Sequence, residues 1–344
     1  MKEENKLQLS ELLNDVWGNV SGTIAKSRQM TQNELNIATH SLYSFIPEVG
    51  KQHKFYDVIG QENEYQQMLF KKLGLEADKS KSNFEVLTKH TIKLEDYYET
   101  LDEKEEKDKI AVLYASGTIT EGDGFDGIQS KTYVEAIRKI AEKGNIKALV
   151  LRVNSPGGSA NASDEILFEL AQLKTKMPII VSFGDVAASG GYYIAQVSDK
   201  IYAQPNTITG SIGVFGMIPN AKKLFNNVGL DFDGVKTNAN ADQLKSLTKP
   251  LSPSAQNTMQ KSVELTYARF VNHVSKNRKM TFQQVDEIGG GRVWSGTKAK
   301  QIGLIDEFGS LNDAIKAAAK LAKLDKYSTE SYPKRKDSFE EFME

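Results

Sequence analysis

The chain has 344 residues, enough for one large core or two smaller ones, and its 39% hydrophobic and 26% charged content is that of a globular protein. Its 44 basic and 45 acidic residues leave a net charge of −1, which argues against a general nucleic-acid surface. The absence of cysteine excludes disulfides, thiolate metal sites and a cysteine nucleophile, and His40, His53, His90 and His273 lack metal-ligand spacing, so no metal or cofactor is expected.

The N-terminal stretch MKEENKLQLSELLNDVW is charged and then amphipathic, unlike a signal peptide, and no run of 18 apolar residues follows it. Apolar spacing predicts helices over 8–28, 31–46 and 62–73, the last with Tyr65, Met68, Leu69 and Leu73 on one packing face. Residues 76–109, with the run DEKEEKDK at 102–109, read as a charged, solvated linker, which puts a domain boundary near residue 105.

From residue 110 the pattern becomes alternating strand and helix. IAVLYASGTI, KALVLRVNSP, PIIVSF and KIYAQP are near-continuous apolar strands. TYVEAIRKIAEKG, DEILFELAQLK and a helix opening at Ser189 lie between them. The expected fold class is α/β, with a sheet covered on both faces and strand ends delivering glycine-rich loops.

A repeat crosses this order. AKSRQMTQNEL at 25–35 matches SKNRKMTFQQV at 275–285, 250 positions apart, with Lys26, Arg28, Met30 and Thr31 facing Lys276, Arg278, Met280 and Thr281. YDVIG at 56–60 then aligns with IDEFG at 305–309. Residues 110–250 are expected to form a core and 251–325 its helical tail, with 326–344 a C-terminal extension. Residues 1–75 then read as the tail of an earlier unit whose body lies outside this sequence. The simpler alternative is two helical hairpins sharing a capping box, Thr31 with Glu34 and Thr281 with Gln284.

The chemistry concentrates in two glycine pairs. VLRVNSPGGSA ends an apolar run at Gly157 and Gly158, and IIVSFGDVAASGGYYIA places Ser189 before Gly190 and Gly191. A serine hydroxyl beside unhindered backbone N–H groups has the parts of an acyl-transfer site, nucleophile and oxyanion hole. The same spacing equally suits a close-packed helix start and a turn. Ala187 occupies the first glycine place of a GxSxG elbow, and no histidine falls between His90 and His273, so a buried neutral lysine is the remaining familiar base.

VLRVNSPGGSA, VSFGDVAASGGYYIA, PNTITGSIGVFG and GRVWSGTKAKQIGLID together resemble signal peptide peptidases of the SppA type, serine proteases of the ClpP/crotonase-like fold, a spiral of ββα units. The resemblance is strong over 110–325 and weaker over the N-terminal helices. It implies a Ser-Lys dyad with Ser189 as nucleophile. It also implies Gly157, Gly158, Gly190 and Ser211 at the oxyanion hole or substrate groove, cleaved signal peptides as substrate and a homo-oligomer. A bacterial inner-membrane, periplasmic location held by an N-terminal anchor would go with it, since the sequence itself carries no spanning segment. Trp294 and Arg292 read as residues fixing the C-terminal helices to the core.

In double-length members of that family the first unit donates the lysine and the second the serine. The single-unit lysine slot falls in FDGVKTNANADQL, where this sequence has Ala241. Lys236 and Lys245 lie near the slot and read more simply as surface lysines. The expectation is therefore a second half without its lysine-bearing domain and, alone, little peptidase activity. Two competing functions are a crotonase-fold acyl-CoA enzyme, in which Ser189 has no clear role, and an inactive assembly module.

Overall fold

A computed structural model describes residues 1–75, 82–100, 105–243 and 247–334. The chain divides into two compact units, one of residues 1–15 with 106–344 and one of residues 16–105.

Helix α1 (Glu3–Ser27) begins in the larger unit and ends in the smaller. The smaller unit continues with α2 (Gln32–His40), α3 (Pro47–Gln52), α4 (Glu62–Leu73), α5 (Asn83–Thr88) and α6 (Leu94–Glu99). The helix expected over 31–46 is broken. Leu42 takes a left-handed φ of 54°, a short 3-10 turn follows at Tyr43–Phe45, and Pro47 opens α3. The packing face expected on α4 is open instead, with Tyr65, Met68 and Leu73 exposed and Phe70 buried. Within the expected linker, residues 82–100 carry two short helices, while 76–81 and 101–104 lie outside the described residues.

In the larger unit the order is β1 (Lys109–Ser116), β2 (Ile119–Thr120), β3 (Ile128–Gln129), α7 (Ser130–Glu142), β4 (Ile146–Ser155), α8 (Ala160–Lys174), β5 (Ile179–Ala188), α9 (Gly190–Tyr193), β6 (Lys200–Ala203) and β7 (Ile208–Gly210). There follow α10 (Lys222–Asn227), α11 (Pro253–Arg278), α12 (Phe282–Ile288), β8 (Val293–Ser295), α13 (Gly296–Gln301), β9 (Glu307–Phe308), α14 (Leu311–Leu321) and β10 (Ser328–Tyr332).

The main sheet runs β10-β1-β4-β5-β6-β9, all parallel, with β7 paired to the far end of β5 and β8 antiparallel to β7. Side chains alternate across this sheet with period two. Leu113, Leu149, Leu151 and Val181 face Ile137 and Ile140 of α7, Ile166 and Leu170 of α8, and Phe270 and Val274 of α11. Ile110, Val112, Ala148, Val150 and Ile180 face Ala314, Ala318 and Ala319 of α14. Burial on both faces explains why these strands read as unbroken apolar runs. The expected extension over 326–344 is part of the sheet through Tyr332, because β10 completes the ladder on the open edge of β1; residues 335–344 lie outside the described residues.

One irregularity positions everything that follows. Val153 pairs with Phe183, but Ser155 pairs with Ala187, so β5 bulges between the two pairs. The Asn154 carboxamide oxygen accepts the Val186 N–H at 3.1 Å inside the bulge. Beyond it β5 leaves β6 and pairs with β7, which re-aims its last residues away from the flat of the sheet.

Candidate functional site

Ser189 follows the last residue of β5 with φ 52° and ψ −121°, a strained conformation for any residue with a Cβ. Two backbone bonds hold it there. Its N–H donates to the Gly210 carbonyl at 3.0 Å, and its carbonyl accepts the Tyr193 N–H at 2.8 Å. Its side chain is half-buried, caps no helix, and lines a cavity of about 250 Å³. Helix α9 is a single turn, so the electrostatics at its start come from local N–H groups rather than from a long dipole.

The glycine pairs interlock around this serine. A Cβ on Gly157 would stand 2.6 Å from the Gly190 nitrogen and 2.8 Å from the Ser189 Cβ, and one on Gly191 would stand 2.7 Å from the Ser155 carbonyl oxygen. Gly157 and Gly158 also have φ of 101° and 155°, which only glycine adopts without strain. The structure therefore brings together Gly157, Gly158, Ser189 and Gly190.

It also sorts them. The Gly157 N–H donates to Ser155 Oγ at 3.1 Å, so this amide is already engaged. Among the described residues the N–H groups of Gly158 and Gly190 donate to no acceptor, and both residues line the cavity. Ser211 lies alongside Ser189, because Ala188 is in register with Gly210, but it does not line the cavity. Its N–H is tied to the Arg292 carbonyl at 2.7 Å with a φ of 47°.

The rest of the cavity comes from residues that sequence reasoning did not single out. Tyr193 and Phe270 meet edge to face at 4.9 Å, Val214 and the 86%-exposed Phe215 add an apolar wall, and Asp164 and Arg269 stand at the rim. Asp164 accepts the Tyr193 hydroxyl at 2.5 Å and pairs with Arg269 at 3.1 Å. Burial, with the bond to Asp164, pushes the Tyr193 phenol far above its ordinary value, so it remains protonated. Tyr193 was within reach of the sequence, one helical turn after Ser189. Asp164 and Arg269, on α8 and α11, were not.

No lysine lines the cavity among the described residues. Lys236 does not fill the slot. Its ammonium donates to the Ala239 carbonyl at 2.9 Å and faces Asp242 at 3.5 Å, and it is absent from the cavity wall. Hydrogen bonds from Gln243 and Lys249, and the charge of Lys236, hold the Asp242 carboxyl below its ordinary value. Lys245 lies outside the described residues. Trp294 packs on Gly210 and donates to the Ile288 carbonyl at 3.1 Å, and Arg292 donates to the Glu287 carbonyl at 2.7 Å, both in keeping with a fixing role.

The two matching sequence segments fold alike. Gln29 and Lys279 are left-handed after α1 and α11, and both capping boxes are formed. Met30 N–H bonds the Ala25 carbonyl as Met280 N–H bonds that of Ser275. Arg28 pairs with Asp57 at 2.7 Å, and Arg278 with Asp306 at 2.9 Å. Asp306 is also clamped to β6, accepting the Ile201 N–H at 2.7 Å, whereas the Asp57 side chain is 81% exposed.

Comparison with known proteins is consistent with this geometry. Residues 171–325 match the model of Peptidase family S49. Protease 4 of Salmonella typhi is 36% identical over 94% of this chain and 52% of its own length, and the chloroplastic serine protease SPPA of Arabidopsis thaliana is 32% identical over 94% and 48%. A Synechocystis protein named as a protease is 37% identical over 63% of this chain and 76% of its own length. The chain thus spans about half the length of the first two relatives.

Proposed function

Because the chain belongs to Peptidase family S49 and is SppA-like in sequence and fold, we propose that it acts in peptide hydrolysis through Ser189, with its proton acceptor supplied by a second unit of the same fold. The observation that carries this reading is the placement of Ser189, half-buried at the cavity beside two amides without acceptors. In the proposed reaction a neutral lysine amine takes the Ser189 proton as Oγ bonds to the substrate carbonyl carbon, and the carbonyl electron pair moves onto oxygen. The N–H groups of Gly158 and Gly190 receive that oxyanion. Collapse expels the amine, which takes the proton back from lysine, and water then releases the acyl group from Ser189 by the same steps.

The separate base is supported by a cavity wall with no lysine among the described residues and by the paired geometry of the two repeats. If residues 16–60 do for another sheet what residues 266–309 do for this one, a second unit of this kind is the natural lysine donor, on the same or another polypeptide. Cleaved signal peptides fit as substrates because Tyr193, Val214, Phe215 and Phe270 give the cavity an apolar side. Among the described residues no helix is long and apolar enough to cross a membrane.

The test is a fluorophosphonate probe applied with a lysine-bearing unit of a full-length relative present, followed by peptide mapping. The adduct is expected on Ser189. An adduct elsewhere, or none, overturns the assignment, and tight acyl-CoA binding in its place would favour the crotonase-type enzyme.

A further inference from the structure

The two amides left for an oxyanion belong to different elements of the larger unit, so the distance between them depends on what joins those elements. Gly158 stands two residues before α8. Ser159 connects them, its N–H donating to the Ile119 carbonyl at 2.8 Å and its Oγ accepting the Ala162 N–H at 3.3 Å. Gly190 opens α9, a single turn of two glycines and two tyrosines. Glycine disfavours helix, and a first helical turn orders about three residues for one hydrogen bond, so this turn takes its shape from its surroundings.

The two tyrosines anchor it to different partners. Tyr192 is buried, and its hydroxyl donates to the Leu304 carbonyl at 2.8 Å, which ties the turn to the core. Tyr193 lies edge-on to Phe270 at 4.9 Å and to His273 at 5.3 Å, and its hydroxyl donates to Asp164 Oδ1 at 2.5 Å. Its N–H donates to the Ser189 carbonyl at 2.8 Å, so the same residue also holds the backbone of the strained serine. Asp164 lies in the second turn of α8, and its Oδ2 accepts from Arg269 of α11 at 3.1 Å. The bond from phenol to carboxylate thus joins the element that follows Gly158 to the element that begins with Gly190. Gly190 itself adds no such link, because a Cβ there would stand 2.5 Å from Ser163 Oγ of α8.

We propose that Tyr193 and Asp164 are positioning residues for the reaction at Ser189, their hydrogen bond holding the Gly158 and Gly190 N–H groups at the spacing one oxyanion requires. Arg269 orients the carboxylate from α11. The inference rests on the proposed hydrolysis and adds to it what sets the oxyanion hole. An oxyanion exists only in the tetrahedral state, so the bond acts on the chemical step and not on capture of the planar substrate. Tyr193 and Asp164 also line the cavity, and a residue that served only as its wall would act on capture instead.

The experiment is the kinetics of fluorophosphonate labelling of the full chain, with a lysine-bearing unit of a full-length relative present, resolved into a limiting rate and a half-saturating probe concentration. Tyr193→Phe, which keeps the ring, and Asp164→Ala should each lower the limiting rate about tenfold or more, with half-saturation within about twofold of wild type. Asp164→Asn, whose carboxamide oxygen still accepts the phenol, should recover most of that loss. The double variant of Tyr193→Phe with Asp164→Ala should be no slower than the slower single variant, because both remove one bond. Melting midpoints should stay within about 4 °C of wild type, and a larger fall would make the role one of folding alone. Limiting rates within about twofold of wild type, a raised half-saturation at an unchanged rate, or Asp164→Asn as slow as Asp164→Ala overturns the proposal and leaves Ser189 as nucleophile. A wild type that does not label at all overturns both readings.

Discussion

Gly157 lies directly against Ser189: any Cβ on the glycine would stand 2.8 Å from the Cβ of the serine, closer than real Cβ contacts come. The fit of the two loops thus depends on a missing side chain. Gly157→Ala should lose about 2 kcal/mol or more of stability, from the clash together with a φ of 101°. Urea denaturation measures this; a loss under about 0.5 kcal/mol would mean that the loops are not packed as described.

The duplicated arginine–aspartate pair gives a contrast. The Arg278 side chain is 10% exposed, and its partner Asp306 also accepts a backbone N–H from β6. Arg278→Met should therefore cost about 3 kcal/mol by leaving that carboxylate half-buried without its cation. Arg28→Met should cost under about 1 kcal/mol in the chain alone, because Asp57 faces solvent. Equal costs in denaturant titrations would remove the asymmetry on which the second-unit proposal leans.

Acid stability should depend on Glu330. Burial raises its pKa, but Lys143 at 2.7 Å, Lys334 at 2.8 Å and the Tyr332 hydroxyl at 3.0 Å outweigh it and hold the carboxyl at about 2. A folded pKa below the unfolded one gives stability that is present above about pH 4.5 and lost as pH falls toward about 2. With exposed lysine partners this amounts to about 1–2 kcal/mol. Glu330→Gln should lower the melting temperature at pH 7 and flatten its fall between pH 4.5 and 2; an unchanged slope would contradict this.

Lys236 is expected to be a bystander. Lys236→Met removes its contacts with Ala239 and Asp242, neither of which lines the Ser189 cavity. With a lysine-bearing unit present, the rate of Ser189 labelling should stay within about twofold of wild type. A loss of about a hundredfold or more would make Lys236 the base after all.

Much of the fold was legible because β1, β4, β5 and β6 are buried on both faces and α7 and α8 on one, which writes period and length directly into the sequence. β7, β8 and β10 were not. Three-residue strands are too short to show a period, and SerThrGluSerTyr forms β10 only because the edge of β1 waits for it. Ser189 and the diglycines announced themselves by residue type. That Ser155 would engage the Gly157 amide, leaving Gly158 and Gly190, depends on a side-chain direction within a bulged strand pair, and the pairing of Asp164 with Arg269 joins helices a hundred residues apart.

The most direct measurement is hydrolysis of an apolar peptide by the purified chain, beside its Ser189→Ala variant, over a dilution series. Alone, the chain should turn over no faster than the variant. Adding a lysine-bearing unit should raise the rate by about three orders of magnitude or more, dependent on Ser189. Ser189-dependent turnover by the chain alone, unchanged on dilution, would contradict the account.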